Sequence, residues 1–416
     1  MLTSLLRVVL TRSLYPVVFK SRNENKLKFE SLEDMRLYVH IPFCRSLSGF
    51  SDCTKELYDR NKASSYKKAL LTEIDLVCRN LSAKKHASSL NFGGVSPILM
   101  VDDLNDIVEK LKSYFIIDGG IGIELNPEDA TQNNLIKLKA AGITMVNMKI
   151  ESFDENCLNK LGKRVDNLQE KTRLVKSTGF DAVNFELIYA VPGQMDRVLE
   201  LDIKTAFDCG ATQVSLYPFV DLAYEDSKLK QPCEKNKKRI FSSLADYCWK
   251  MGAERTSLRT FAKKGTKRYS HSTSDYFLGF GASAATLIKD TLKINTFSLD
   301  EYEKRLKYEI LPTCLTLYFT KRQRAVYYLF WSAYSLKINI EKFERFIGVS
   351  LDKMFGKEFY VAEKLHLVKR SGNFYVLTNK AAYYCHCLEQ LYKVKYFDRI
   401  RNKLCGEAYP DKIVLW

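Results

Sequence analysis

The chain has 416 residues, of which 46% are hydrophobic and 27% charged, so its length suits about two to three average domains and its composition excludes an intrinsically disordered protein. Its eleven cysteines are scattered through apolar segments, which excludes a small disulfide-bonded scaffold and favours buried, reduced thiols. The net charge of +16 attracts anionic partners in general, but no compact Arg/Lys run with interleaved aromatics indicates nucleic-acid binding as a primary role.

The first 22 residues are typical of a mitochondrial import sequence. They contain Arg7, Arg12, Lys20 and Arg22, and the first acidic residue is Glu24. A basic, acid-poor, amphipathic N-terminus is the pattern of an import peptide, and its apolar run is too short to span a bilayer. The alternative is an ordinary N-terminal helix. We expect residues 1–30 to be an import-like N-terminus, the protein to lie in the mitochondrial matrix, and no transmembrane segment elsewhere.

Residues 31–290 alternate short apolar strands with amphipathic helices, which indicates parallel βαβ units. Helices are predicted over 64–78, 102–114 and 132–140. Six strand–loop–helix units in sequence predict an α/β fold, a partial (β/α)6 TIM-like barrel with its functional groups at the carboxyl ends of the strands. The six strands are predicted over residues 35–41, 89–92, 122–125, 145–150, 182–189 and 213–217.

Residues 291–416 have a different pattern, helical and rich in aromatic residues. A helix is predicted over 341–355 and a second one up to residue 365. Two short strands around the Ser-Gly-Asn turn at 371–373 follow these helices. Helices followed by a hairpin indicate a smaller α+β, winged-helix-like domain.

Three acids fall on the predicted barrel strands. Glu124 lies within the third strand, and Glu151 and Glu186 lie at or inside the ends of the fourth and fifth. A carboxylate that points into a barrel needs a partner. Three carboxylates converging on one mouth would suit a cationic ligand such as a sulfonium or an amino group.

Seven motifs resemble those of the oxygen-independent coproporphyrinogen III oxidase-like family, and most closely its haem chaperone (HemW-like) branch. The resemblance covers roughly residues 35–380 and implies a radical SAM partial barrel followed by a HemW-type C-terminal domain. The motifs are Tyr38-Val-His-Ile-Pro-Phe-Cys44, Asn91-Phe-Gly-Gly-Val-Ser-Pro97, Glu124-Leu-Asn-Pro-Glu-Asp129, Glu151-Ser-Phe-Asp154, Leu187-Ile-Tyr-Ala-Val-Pro-Gly-Gln194, Ser215-Leu-Tyr-Pro218 and Phe261-Ala-Lys.

The same resemblance places the ligands of a 4Fe-4S cluster at Cys44, Ser48 and Ser51. In the family all three positions are Cys, and three thiolates leave the fourth iron for S-adenosylmethionine. A serine hydroxyl stays protonated at neutral pH and is a hard ligand for this soft site. Cys53 could be recruited, but Cys44 and Cys53 supply only two thiolates. The ligand set therefore predicts that no intact cluster forms, with Cys44 as the remaining weak metal candidate.

The resemblance also implies a set of S-adenosylmethionine-binding positions, five of which depart from the family: Val95 for Gly, Ser96 for Thr, Glu151 for Gln, Lys163 for Arg and Glu186 for Asp. The pocket is therefore not tuned to the family's geometry. Either it binds the ligand weakly or these residues only complete the barrel. The whole set is Tyr38, Gly94, Val95, Ser96, Glu124, Glu151, Lys163 and Glu186.

The favoured hypothesis is a HemW-like mitochondrial haem-binding protein, a pseudoenzyme of porphyrin metabolism without catalytic residues, whose partner is haem or a haem-accepting protein. His40, Cys44 and the run Cys385-His386-Cys387 are the candidate haem ligands. The run is a poor chelate on a helix, because adjacent residues point apart. One alternative is an active coproporphyrinogen oxidase-like radical SAM oxidoreductase with atypical cluster ligation. The other is a non-catalytic scaffold subunit of a mitochondrial protein or RNA–protein assembly.

Overall fold

The structure is a computed structural model that describes residues 16–21, 26–47, 54–219, 233–269, 276–392 and 398–415. Each of the six predicted strands lies within an observed one. The strands, in chain order, are β1 (Val17–Lys20), β2 (Asp34–Ile41), β3 (Phe43–Cys44), β4 (Glu56–Leu57), β5 (Lys85–Gly94), β6 (Phe115–Ile117), β7 (Ile121–Leu125), β8 (Met145–Glu151), β9 (Ala182–Tyr189), β10 (Gln213–Pro218), β11 (Ala253–Arg255), β12 (Thr260–Lys263), β13 (Phe277–Phe280), β14 (Ala285–Ile288), β15 (Thr291–Asn295), β16 (Thr313–Tyr318), β17 (Lys337–Asn339), β18 (Val368–Ser371), β19 (Phe374–Leu377) and β20 (Lys412–Leu415).

The helices begin at side-chain caps in several places. For example, the Asp59 carboxylate accepts from the backbone N–H groups of Asn61 and Lys62 at the start of the first helix. The helices are α1 (Arg60–Cys78), α2 (Leu104–Tyr114), α3 (Gln132–Ala140), α4 (Glu155–Lys160), α5 (Leu168–Ser177), α6 (Asp196–Asp208), α7 (Glu234–Lys250), α8 (Leu299–Lys307), α9 (Lys321–Tyr334), α10 (Ile340–Ile347), α11 (Leu351–Lys364), α12 (Asn379–Tyr392) and α13 (Asp398–Gly406).

Strands β2, β5, β7, β8, β9 and β10 lie side by side in chain order and pair in parallel. The first and last of them pair with β13 and β12, respectively, rather than with each other. The prediction of a mixed α/β fold with a parallel sheet at its core is confirmed. Because parallel strands run the same way, their carboxyl ends share one edge, and this edge carries the predicted site.

The sheet continues beyond the parallel strands through β13, β14, β15 and β16 to β1 and β20. The predicted domain boundary between residues 290 and 291 falls in the turn of the β14–β15 hairpin, so the sheet crosses it. Strand β1 belongs to the segment predicted to be import-like, and it pairs with both β16 and β20. Within the described residues, no helix combines the length and the apolar composition needed to cross a membrane.

A second core lies in the C-terminal module, where Phe343, Phe355, Phe359 and Tyr375 pack together under the three-stranded sheet β17–β19–β18. The predicted hairpin is observed as β18 and β19. The predicted helix over 341–355 is wrong, because two helices cover this stretch. Gly348 adopts a left-handed conformation (φ 72°) that ends α10 before α11 begins.

Candidate functional site

The inner faces of the parallel strands are polar, whereas their outer faces are apolar. On β8, Val146, Met148 and Ile150 are buried, and the alternate residues Asn147 and Lys149 bond to side chains of the neighbouring strands. This alternation follows from the two-residue period of a strand. The lumen of the sheet is therefore lined by side chains that can hydrogen-bond.

A belt of hydrogen bonds crosses the lumen from β8 to β12. The Asn184 amide donates to Oδ1 of Asn147 at 2.5 Å, and the Ser215 hydroxyl donates to Oδ1 of Asn184 at 3.0 Å. The hydroxyl oxygens of Ser215 and Thr260 lie 2.9 Å apart. Since buried polar groups are costly unless they are paired, the belt fixes these strands relative to one another.

Tyr269 fills the lumen near the starts of the strands, where it packs with Met145 and Ala182. Its backbone N–H and C=O are held by the Gln213 side chain, each at 3.0 Å. A methyl group at Gly122 would lie 2.4 Å from the Tyr269 ring, so this position requires glycine. Among the described residues, the Tyr269 ring therefore fills the lumen at the starts of the strands, and the polar side chains lie toward the carboxyl ends.

The carboxylates of Glu124 and Glu186 face the upper lumen, and both have partners. Nζ of Lys149 lies 2.9 Å from Oε2 of Glu124. Oε1 of Glu186 accepts from the Asn147 amide at 2.8 Å and from the Tyr217 hydroxyl at 3.0 Å. Burial raises the pKa of Tyr217 well above its ordinary value, so the phenol keeps the proton that it donates.

Glu151 ends β8 in an unusual backbone conformation. Its φ of 67° lies in the left-handed region, and the β8–β9 register shifts between Lys149 and Glu151. Nζ of Lys163 donates to Oε1 of Glu151 at 2.5 Å. An irregularity of this kind re-aims a side chain at the end of a strand, often beside a functional site. The third predicted acid is thus also neutralised by a cation of the same chain.

The glycine turn after β5 closes against β2. Gly94 has a φ of 131°, and a methyl group there would lie 2.0 Å from the Ile41 carbonyl oxygen. The next residue, Val95, is half-buried. The Ser96 hydroxyl donates to Asp129 at 3.2 Å, so it faces the segment after β7. The turn therefore packs tightly on its neighbours, and this close approach requires a glycine at position 94.

His40 and Cys44 lie on and just after β2, and both are buried. The Tyr38 hydroxyl lies 3.0 Å from Nδ1 of His40. Burial lowers the pKa of His40 to about 4, so the ring is neutral. The Cys44 thiol donates to the Glu56 carbonyl oxygen at 3.3 Å, and burial raises its pKa.

The loop that would complete a metal site, with Ser48, Ser51 and Cys53, lies outside the described residues. In the parts of the chain that the structure does describe, no three His, Cys, Asp or Glu side chains could together hold a metal ion.

The run Cys385-His386-Cys387 lies on α12, as predicted, and its side chains separate. The His386 ring stacks on Phe241 with 5.9 Å between centroids. Cys385 packs against the core of the C-terminal module, whereas Cys387 packs against the main core. Burial raises the pKa of Cys385 to about 12, so the thiol stays protonated. These contacts agree with the expectation of a poor chelate.

The structure therefore brings Tyr38, Glu124 and Glu186 to one polar lumen, and Glu151 with Lys163 to its rim. Several partners of these residues were not predicted from the sequence. The two-residue alternation of polar side chains along β8 and β9 was a readable signal for some of them. Arg259 lies in a loop, where its guanidinium stacks on Tyr217 at 4.0 Å, and no strand pattern marks it. The missed residues are Asn147, Lys149, Asn184, Tyr217, Arg259 and Tyr269.

The overall fold is that of a radical SAM enzyme. The chain superimposes on the structure of coproporphyrinogen III oxidase (HemN) from Escherichia coli with a TM-score of 0.72, covering 86% of this chain and 91% of that one at 20% sequence identity. At this identity the likeness shows the fold alone.

The proteins of similar sequence fall into two groups. The chain is 22% identical over 282 residues to the haem chaperone HemW of Bacillus subtilis, covering 64% of this chain and 74% of that protein. It is 21% identical over 345 residues to HemW of Lactococcus lactis, covering 77% and 87%. With the oxygen-independent coproporphyrinogen III oxidase of Pseudomonas aeruginosa it shares 30% identity over 172 residues, covering 38% and 36%. No family model matches. The resemblance is confirmed: the homologues of this chain are HemW and the oxygen-independent coproporphyrinogen III oxidases.

Proposed function

We propose that this chain is a HemW-like haem-binding protein of the mitochondrial matrix that does not perform radical chemistry. The observation that carries the proposal is the ligand set Cys44, Ser48 and Ser51 in a chain whose relatives include the haem chaperone HemW. One thiolate and two hydroxyls do not match the three thiolates that hold a 4Fe-4S cluster.

Cys44 is the thiol that remains in this ligand set. Its buried side chain donates to the Glu56 carbonyl oxygen at 3.3 Å. Ligation of iron by Cys44 would break this hydrogen bond and release the thiol proton, as it does for any cysteine ligand.

The test of the cluster is to restore the missing thiolates. We expect the wild-type protein, purified and reconstituted anaerobically with iron and sulfide, to hold no stoichiometric cluster. The double variant Ser48→Cys/Ser51→Cys should take up about four iron atoms and show the broad cluster absorption. Cys44→Ala in that background should lose it again, whereas Cys405→Ala removes an exposed cysteine and should not. A wild-type protein with four iron atoms that cleaves S-adenosylmethionine would refute the proposal and favour the oxidoreductase.

Haem binding is tested separately, by titration of the purified protein with haem. We expect a saturable shift of the Soret band at one haem per chain. Absence of such a shift, with protein or RNA that co-purifies, would instead favour the scaffold alternative.

Location is tested by fusing residues 1–30 to a fluorescent protein and imaging it with a mitochondrial marker. A diffuse signal would overturn that part of the proposal.

A further inference from the structure

We propose that Lys149 is an internal cation that occupies the charge-binding position of the barrel mouth, so that the mouth rejects ligands presenting a sulfonium or an amino group to Glu124. The inference deepens the proposed function and rests on it, because it concerns why this fold would not use S-adenosylmethionine. The three acids would suit a cationic ligand, but two of them already pair with lysines of the same chain.

The position of Lys149 is fixed by the sheet. It lies on β8 with its Cα opposite that of Glu186 on β9, and Asn147, two residues earlier, is opposite Glu124 on β7. Residues two apart on a strand share a face, so Lys149 shares the inner face with Asn147. Its ammonium group reaches Oε2 of Glu124 at 2.9 Å. The ammonium group therefore belongs to the wall of the lumen, at the carboxylate that a cationic ligand would have to approach.

The partial burial of this pair strengthens its attraction. The side chains of Lys149 and Glu124 are 30% and 22% exposed, so water screens their attraction less than it would at the surface. A tethered cation also loses less freedom on pairing than a diffusing one, which gives Lys149 a high effective concentration at Glu124. A ligand cation would have to compete with it for the same carboxylate.

The other two acids differ in their partners. Glu151 is paired with Lys163, whereas Glu186 accepts from two neutral donors, Asn147 and Tyr217, which leave its charge in place. The Arg259 guanidinium, stacked on the Tyr217 ring, adds another positive charge on this side. Among the described residues of the mouth, the carboxylates of Glu124, Glu151 and Glu186 are therefore accompanied by the cations of Lys149, Lys163 and Arg259. These charges balance, so this group of side chains has no net attraction for a further cation.

The test compares a cationic and a neutral probe by isothermal titration calorimetry. S-adenosylmethionine carries a sulfonium and an ammonium group, whereas methylthioadenosine keeps the nucleoside and the thioether without either charge. We expect Lys149→Met to bind S-adenosylmethionine at least tenfold more tightly than the wild type does, with no comparable gain for methylthioadenosine. Lys149→Gln keeps a hydrogen-bond donor toward Glu124 and provides a second variant in case the methionine variant folds poorly.

Two further variants separate charge from space. Glu124→Gln/Lys149→Met should return S-adenosylmethionine affinity to the wild-type level, because the carboxylate that meets the cation is gone. Lys204→Met is the matched control, since it removes an exposed lysine that pairs with Asp208 at 2.6 Å on α6, away from the lumen. It should bind both probes as the wild type does.

The inference is overturned if folded Lys149→Met and Lys149→Gln proteins show no gain. It is also overturned if the gain persists in Glu124→Gln/Lys149→Met, because space rather than charge would then explain it. Iron and sulfide are measured on the same samples. A cluster in the wild-type protein would refute the proposed function and leave the comparison among these variants intact, so the two failures are distinguishable.

Discussion

Glu73 is a buried carboxylate that links α1 to the strands beyond the barrel. Its Oε2 accepts from the Tyr302 hydroxyl at 2.6 Å and from the Gly281 backbone N–H at 2.7 Å, and its Oε1 accepts from the Asn295 amide at 2.6 Å. The side chain is 2% exposed. These three donors are neutral, so none of them replaces the counter-ion that a buried charge needs.

Burial raises the pKa of Glu73 from 4.5 to about 7, against the opposing effect of the three hydrogen bonds. The unfolded chain releases this proton near pH 4.5, whereas the folded protein keeps it until about pH 7. The contribution of Glu73 to stability is therefore complete below pH 4.5 and is lost as the pH rises through 7. At about 1.4 kcal/mol for each pKa unit, the loss is roughly 3 kcal/mol.

The assay is urea unfolding of the wild type and Glu73→Gln from pH 4.5 to pH 8. The free energy of unfolding of the wild type, minus that of the variant, should fall by roughly 3 kcal/mol across this range, because glutamine does not titrate. Glu303→Gln is the control, since Glu303 pairs with Ser65 in an exposed position on α8. A wild-type-minus-Glu73→Gln difference that stays constant with pH would refute the reasoning.

Two other predictions concern the frame of the site. Gly94→Ala should destabilise the protein by more than about 4 kcal/mol, because its methyl group would meet the Ile41 carbonyl oxygen, whereas Gly162→Ala, with φ 68° and open space, should cost about 1 kcal/mol. Thermal unfolding measures both, and equal effects would contradict the argument. Removal of residues 1–21 deletes β1 and the buried Phe19, whereas removal of residues 1–15 leaves both in place. We expect the longer truncation to lower the free energy of unfolding by at least about 3 kcal/mol more than the shorter one. Equal stabilities would show that β1 contributes nothing.

The parallel strands could be predicted because their outer faces are buried against helices and their apolar pattern is a local property of the chain. The strand predicted over 182–189 has the bounds of β9, and the one over 213–217 ends one residue before β10 does. The partners across the lumen are not local. Lys149 stands between Met148 and Ile150, and its contact with Glu124 depends on the β7–β8 register, which no spacing in the sequence gives.

In the C-terminal module, a local sequence pattern predicted one helix where the structure has two. A helix over 341–355 follows from the recurrence of aromatic residues, and the pattern continues across Gly348 into α11. The backbone turns there because glycine tolerates the left-handed conformation and Ser350 caps the next helix. The strand β16 was missed in the same region, and its pairing with β1 joins segments far apart in the chain.

Residues in two separate segments of the chain support the proposed loss of radical chemistry. Ser48 and Ser51 occupy positions that the resemblance assigns to iron ligands, and Lys149 pairs with the carboxylate of Glu124. A ligand that needs both an open iron and an unpaired carboxylate would find neither, because of residues about a hundred positions apart in the chain. The frame does not depend on either feature, because the polar belt from Asn147 to Thr260 is hydrogen-bonded within the chain. Under the two proposals, the scaffold would retain its sheet and its surface for a carrier role, while its mouth would not match S-adenosylmethionine.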